Sequence, residues 1–90
     1  YKLRFRMPER DTLDGWLRSL SGFEAFDGER QVYVFDTRAG RDPRGMPYLE
    51  AMIEADGLYA CDFGGGKQLL EDLRQAIAAR CGETRIDDYE

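Results

Sequence analysis

The chain contains no histidine, and this absence removes more chemistry than any other feature of its composition. Without an imidazole there is no Ser-His-Asp or Cys-His nucleophilic centre, no histidine zinc site and no imidazole acid–base catalysis. Only two cysteines occur, Cys61 and Cys81, and they form no CxxC motif. The sequence therefore predicts no metal and no cofactor, and it favours a protein that is not an enzyme.

The two cysteines are also badly placed to form a disulfide. A helix through residues 67–81 would carry Cys81 about 10 Å beyond Cys61, whereas the Cα atoms of a disulfide lie within about 7 Å of each other. We therefore expect two free thiols and a reducing, cytoplasmic compartment.

Long apolar runs are absent as well, which excludes a membrane-spanning helix. The first residues, YKLRFRMPERD, lack the apolar segment of a signal peptide, and the start at Tyr1 suggests that upstream residues were removed or are missing. With 90 residues, of which 42% are apolar, the chain suits a single domain, residues 1–90, with a modest core.

Negative charge is concentrated in the second half of the chain. Residues 46–90 contain four basic and ten acidic side chains, whereas residues 1–45 are nearly balanced, and the net charge is −5. An acidic surface repels phosphates, so nucleic acid is an unsuitable partner. The charge suits a basic protein partner, or it serves only solubility.

Two stretches have the periodicity of amphipathic helices. In residues 12–20 the apolar stripe consists of Leu13, Trp16, Leu17 and Leu20, and Asp11 or Thr12 is expected to cap the N-terminus. The stripe of residues 67–81 consists of Leu69, Leu70, Leu73, Ile77 and Cys81, and Gly82 is expected to end this helix.

Strands are predicted from alternation over residues 1–7, 31–36 and 84–89, the last at a sheet edge. Residues 31–36 are apolar on both faces, which indicates a central strand. Residues 48–56 fit a helix or a strand, but Asp56-Gly57 is a favoured type I′ turn and favours a hairpin. The expected fold is α+β, in the order β-α-β-β-β-α-β, with two helices on one face of a largely antiparallel sheet.

The segment DFGGGKQ raises the question of a phosphate site at the start of a helix. The P-loop motif requires Ser or Thr after the lysine, and the glycine spacing is wrong for it and for a dinucleotide fingerprint. The backbone amides of a glycine-rich helix start can still face an anion. The interpretation that the sequence favours is a tight strand-to-helix joint. The alternative is an anion site formed by Gly64, Gly65, Gly66 and Lys67, with Arg38, Arg41 and Arg44 of an arginine-rich loop.

Two further patterns concern charged strands. The basic row Lys2, Arg4 and Arg6 could contact phosphates, or it could pair across strands with Glu50 and Glu54. Asp36 and Asp62 end two strands and could serve a carboxylate- or metal-dependent enzyme, although no calcium-loop spacing is present.

The leading functional hypothesis is a small acidic protein-binding domain, for example an inhibitor or immunity-type protein that blocks a basic enzyme such as a nuclease. Its mechanism would combine charge steering with a few aromatic anchors. The expected partner-binding residues are Glu50, Glu54, Asp56, Tyr48, Tyr59, Asp87, Asp88 and Tyr89. The alternatives are a phosphate- or nucleotide-binding module and a carboxylate-dependent enzyme.

Overall fold

The computed structural model describes residues 1–36, 49–62 and 67–87, which form six strands and two helices in the order β-α-β-β-β-β-α-β. Their bounds are β1 Lys2–Arg4, α1 Arg10–Ser19, β2 Phe23–Asp27, β3 Val32–Phe35, β4 Leu49–Glu54, β5 Gly57–Asp62, α2 Lys67–Cys81 and β6 Arg85–Asp87. The α+β class is confirmed.

All strands belong to one antiparallel sheet with the order β2-β3-β4-β5-β1-β6. The first strand of the chain is internal: Leu3 lies opposite Leu58 of β5 on one side and Ile86 of β6 on the other. Regular pairing of this strand covers less of the chain than predicted, but Phe5 and Met7 still pack against the core. The edge position predicted for β6 is confirmed.

One strand, β2, has no counterpart in the sequence prediction. A register shift between Phe23 and Ala25 places Phe23 opposite Phe35 and Phe26 opposite Tyr33. This bulge puts two aromatic side chains three positions apart on the same side of the sheet, so the alternation that identifies a strand is lost.

Both helices cover the same side of the sheet, as predicted. Tyr33 and Phe35 point to this side; the Tyr33 hydroxyl donates a hydrogen bond to Asp14 of α1, and Phe35 borders a small cavity with Leu69 and Leu73 of α2. The largest fully buried side chains of the core are leucines and one isoleucine from both layers: Leu3, Leu13, Leu17, Leu49, Leu58, Leu73 and Ile77.

Helix α1 begins two residues earlier than predicted, and its capping was predicted wrongly. Glu9 is the N-cap residue and makes no side-chain capping bond, while Asp11 lies in the first turn, where its charge is favourable near the helix dipole. Leu13 and Leu17 are buried, and Trp16 packs against the core as expected.

Residues 49–62 form the hairpin rather than a helix, since Ala51 lies opposite Ala60 and Glu54 opposite Gly57. The loop is Ala55-Asp56 rather than Asp56-Gly57, and neither of these two residues has the positive φ of a type I′ turn. Gly57 is instead a strand residue opposite Arg4 of β1.

Helix α2 has the bounds that the sequence predicts. Its stripe of Leu69, Leu70, Leu73 and Ile77 is buried. Gly82 follows at φ 86°, and its N–H donates to the carbonyl of Ala78 at 2.9 Å, which ends the helix in the left-handed conformation that glycine adopts at low cost. Neither helix has the length and apolar character needed to cross a membrane, within the described residues.

Candidate functional site

The side of the sheet opposite the helices carries most of the predicted partner-binding residues that the structure describes. Because side chains alternate along a strand, the residues between the core positions point to this side. We call it the helix-free face, and it carries Lys2, Arg4, Val32, Val34, Glu50, Met52, Glu54, Tyr59, Cys61, Arg85 and Asp87.

Lys2 is the most buried charged residue of this face, with only 4% of its side chain exposed. Its ammonium group contacts the carboxylate of Glu54 and lies 2.6 Å from Asp56 Oδ1. Desolvation by itself lowers the pKa of Lys2, but the hydrogen bonds and charges of Asp56 and Glu54 outweigh it, and the pKa is raised. Lys2 is therefore a charged group held by two carboxylates.

Arg4 extends this ion-pair network toward the sheet edge. Its Nη1 lies 2.7 Å from Asp56 Oδ2, and its Nε lies 2.8 Å from Asp87 Oδ2. The sequence allowed the basic row either to contact phosphates or to pair across strands. Lys2 and Arg4 form cross-strand ion pairs, and Glu54, a predicted partner, pairs with Lys2. Arg6 lies beyond the strand and is exposed.

Glu50 does not pair with the basic row. Its carboxylate accepts a hydrogen bond of 2.7 Å from Nη2 of Arg30, whose Nε also lies 2.9 Å from Asp27. The hydrogen bond from Arg30 is the largest influence that lowers the pKa of Asp27. The pairing expected between Glu50 and the basic row is wrong because β5 lies between β4 and β1, and Glu50 lies opposite Cys61 of β5. On its other side, β4 pairs with β3, and the β2–β3 turn brings Arg30 to Glu50.

An apolar strip crosses the centre of the helix-free face. Met52 lies opposite Tyr59, and it is the exposed large hydrophobic residue of the described chain, at 36% exposure. Cys61 lies two positions beyond Tyr59 on β5, and Val34 lies on β3 across Glu50 from it; both are half-buried. Charged residues of the two networks flank the pair of Met52 and Tyr59: Glu50 and Glu54 lie on either side of Met52 along β4, and Lys2 lies opposite Tyr59.

The predicted partner-binding set is thus brought together where the structure describes it. The members on or beside the helix-free face are Glu50, Glu54, Asp56, Tyr59 and Asp87. The other members, Tyr48, Asp88 and Tyr89, lie outside the described residues.

The alternative anion site lies almost wholly outside the described residues: Gly64, Gly65, Gly66, Arg38, Arg41 and Arg44. Lys67 is the first residue of α2, as the sequence predicts. Its role toward an anion stays a prediction.

The carboxylates proposed for a metal-dependent enzyme come from strands on either side of β4. Asp62 ends β5 and lies opposite Leu49, and Asp36 follows the end of β3. Over residues 1–36, 49–62 and 67–87, no group of three or more cysteine or acidic side chains is placed to hold a metal ion.

The two thiols are free and lie on opposite sides of the sheet. Cys61 lies opposite Glu50 on the helix-free face, whereas Cys81 packs against the core beneath the helices. Burial raises the pKa of the Cys81 thiol, which keeps it protonated and poorly nucleophilic.

A cavity of about 310 Å³ opens next to Cys81, bordered by Arg6, Met7, Pro8, Trp16 and Arg80. The Arg80 guanidinium carbon lies 5.3 Å from the centre of the Trp16 ring, and Nη1 donates to the carbonyl of Ala76. Arg80 is thus engaged at the negative end of the α2 dipole, which disfavours an anion here.

Sequence reasoning missed a cluster in which Arg18 lies against the rings of Phe23, Phe26 and Tyr33. The spacing of Asp14 and Arg18 on one helix face was the available signal. The aromatic part could not be seen without β2, because the bulge in that strand places Phe23 and Phe26 on the side of α1.

Acid is expected to destabilise the fold through carboxyl groups that are paired in the native state. Hydrogen bonds lower the pKa of Asp14 (from Tyr33), Asp27, Asp56 (from Lys2) and Glu71, from ordinary values of 3.8 for aspartate and 4.5 for glutamate. Groups with a lowered folded-state pKa contribute stability above their unfolded pKa, and this stability is lost as the pH falls through the folded value.

The urea midpoint should therefore be nearly constant from neutral pH down to about pH 5 and should fall progressively below about pH 4. The Asp56→Asn variant should show a flatter decline, because it lacks one of the shifted groups. A midpoint that rises on acidification would contradict this interpretation.

No protein-family model, curated protein or solved structure matches this chain.

Proposed function

We propose that this chain is a non-enzymatic protein-binding domain that docks a basic protein through its helix-free face. The observation that carries the proposal is the exposed Met52 beside Tyr59, between the ion-paired carboxylates of Glu50 and Glu54. An inhibitor or immunity-type protein that blocks a basic enzyme, such as a nuclease, is the narrower form of this proposal.

The apolar strip suits the centre of a protein interface. Tyrosine and methionine are enriched at such positions, where a few residues supply most of the binding free energy. Methionine is flexible and polarisable, so it adapts to the shape of a partner. Because Tyr59 is half-buried, its ring needs little further ordering when a partner covers it.

The rim of the face is charged, but most of its charge is compensated internally. Lys2 and Arg4 each contact two carboxylates, and Arg30 contacts Asp27 and Glu50. The most exposed of these carboxylates is that of Asp56, with 60% of its side chain accessible to solvent. A partner's arginine or lysine would compete for Asp56 at the rim, where exposed ion pairs contribute little affinity.

We infer that the net charge of −5 acts mainly on the association rate. Long-range attraction accelerates the encounter with a basic partner and weakens as salt screens it, whereas contacts at the centre determine the dissociation rate. The free thiols of Cys61 and Cys81 support a reducing, cytoplasmic setting for this interaction.

The experiment compares two lysine substitutions with the same effect on net charge. Met52→Lys adds a positive charge at the centre of the helix-free face, and Ala79→Lys adds one at an exposed position of α2. A partner captured with the wild-type protein from its native cells should bind Met52→Lys at least tenfold more weakly, about 1.4 kcal/mol, through a faster dissociation rate.

Both variants should slow association, and more strongly at low salt, but Met52→Lys should do so more because its charge lies on the docking face. Equal dissociation rates for the two variants would rule out the helix-free face as the docking surface. An association rate that ignores ionic strength would rule out charge steering.

A further inference from the structure

On the helix side of the sheet, next to the edge strand β2, three aromatic rings surround one guanidinium group. The central carbon of Arg18 lies 5.9 Å from the ring centre of Phe23, 5.0 Å from that of Phe26 and 6.0 Å from that of Tyr33. These distances lie within the range in which a cation is attracted by the face of an aromatic ring.

A carboxylate completes the cluster. Asp14 accepts hydrogen bonds from Nε of Arg18 at 3.1 and 3.0 Å through its two oxygens, and it also accepts one from the hydroxyl of Tyr33. The hydrogen bond from Tyr33 is the largest influence that lowers the pKa of Asp14, so the carboxylate stays charged at neutral pH. Aromatic faces and a fixed negative charge together match an organic cation.

The cage formed by these residues is held in place by the core rather than by Arg18. The Phe26 and Tyr33 ring centres are 4.6 Å apart, and Phe23 packs edge-on against Phe35 at 6.0 Å. Tyr33 is 3% exposed, whereas Phe23 and Phe26 are half-buried at the margin of the sheet. The rings should therefore keep their positions when the cation is absent.

Arg18 itself lies at the protein surface, in contact with water. Its side chain is 46% exposed, and its ion pair with Asp14 spans one helical turn on the surface. Such pairs contribute little to stability, and arginine has several freely rotating bonds. The guanidinium group can leave the cage for water without any change in the backbone.

We propose that Asp14, Phe23, Phe26 and Tyr33 form a binding site for an arginine side chain of another protein, and that Arg18 occupies this site in the isolated chain. The resident guanidinium identifies the ligand class, because a planar, weakly hydrated cation can stack on the rings and bond to the carboxylate together. The site is on the opposite side of the sheet from Met52, so it stands independently of the helix-free face.

Arg18 competes with an external cation for the cage. The apparent affinity for the external cation is its affinity for the empty cage multiplied by the fraction of molecules in which the cage is empty. Removal of Arg18 should therefore tighten the binding of an external arginine side chain. If Arg18 only stabilises the fold, its removal should produce no such binding. This difference gives the proposal its test.

The test titrates N-acetyl-arginine amide into the wild type, Arg18→Gln and the control Arg74→Gln, and follows the ring-proton resonances of Phe23, Phe26 and Tyr33 by NMR. Arg74 is a suitable control because it forms a similar surface ion pair with Glu71 on α2. We expect Arg18→Gln to bind roughly five- to tenfold more tightly than the wild type and Arg74→Gln to match the wild type.

Two further comparisons define the specificity. The corresponding lysine amide should bind Arg18→Gln more weakly than the arginine amide does, because an ammonium group is compact and strongly hydrated. The double variant Arg18→Gln with Phe26→Leu should lose most of the gain, since it lacks the nearest ring. Absence of saturable shifts in a folded Arg18→Gln protein, or binding no tighter than that of the wild type, would overturn the proposal.

Discussion

Replacing Gly57 with alanine is expected to lower the free energy of unfolding by about 3–5 kcal/mol. A Cβ atom at this position would lie 2.0 Å from the carbonyl oxygen of Leu3 and 3.1 Å from its carbonyl carbon. Both are backbone atoms of β1, so no side chain can rotate away to make room. Relief requires β1 to separate from β5, which breaks the pairing of Leu3 with Leu58.

The matched control is Gly15→Ala on α1. An added Cβ at Gly15 meets no atom within 4 Å, and alanine has the higher helix propensity, so this variant should be more stable by about 0.5–1 kcal/mol. Urea unfolding followed by circular dichroism measures both variants. A Gly57→Ala protein that unfolds within 1 kcal/mol of the wild type, roughly the cost of an ordinary surface change, would contradict the close approach of β1.

The second large effect is expected from the double substitution Glu54→Gln with Asp56→Asn. It leaves the ammonium group of Lys2, in a side chain that is 4% exposed, without an anionic partner. An uncompensated buried cation costs on the order of 2–3 kcal/mol in the free energy of unfolding. The cost arises from the charge that remains and not from the lost contacts themselves.

Removal of the cation should therefore cost less stability than removal of its two carboxylate partners. Lys2→Met keeps an unbranched side chain in the same space and leaves Glu54 and Asp56 at 40% and 60% exposure, where water solvates them. It should therefore unfold within about 1 kcal/mol of the wild type. The same urea titrations at neutral pH compare the two proteins, with Glu71→Gln on α2 as a control expected to change little. A Lys2→Met protein less stable than the double variant would contradict the prediction that the buried charge, and not the lost contacts, causes the loss of stability.

The parts of the fold that could be predicted are those encoded locally. Helix α2 carries its apolar stripe, its basic last turn and its terminal glycine within one continuous segment, and its bounds matched. The hairpin of β4 and β5 was predicted from alternation, but its loop was misplaced by one residue. The reason is that Gly57 is needed for the approach of β1, a contact with no local signal.

The candidate site was also predicted only in part. Residue type and charge were enough to select Glu54, Asp56 and Tyr59, but the compensation of those carboxylates by Lys2 depends on the position of β1 in the sheet. The Arg18 cage depends on the bulge in β2, a strand that alternation could not identify. Sequence patterns select candidates, whereas long-range register decides which of them meet.

The internal position of β1 also determines when the chain can fold during its synthesis. The ammonium group of Tyr1 donates to the carbonyl of Ala60, 59 positions later, and Arg4 bonds to Asp87 across 83 positions. Contacts so distant in sequence form slowly, because a long loop must close before they contribute. During synthesis β1 must therefore wait for β5 and β6, and the sheet is completed only after these later strands have emerged.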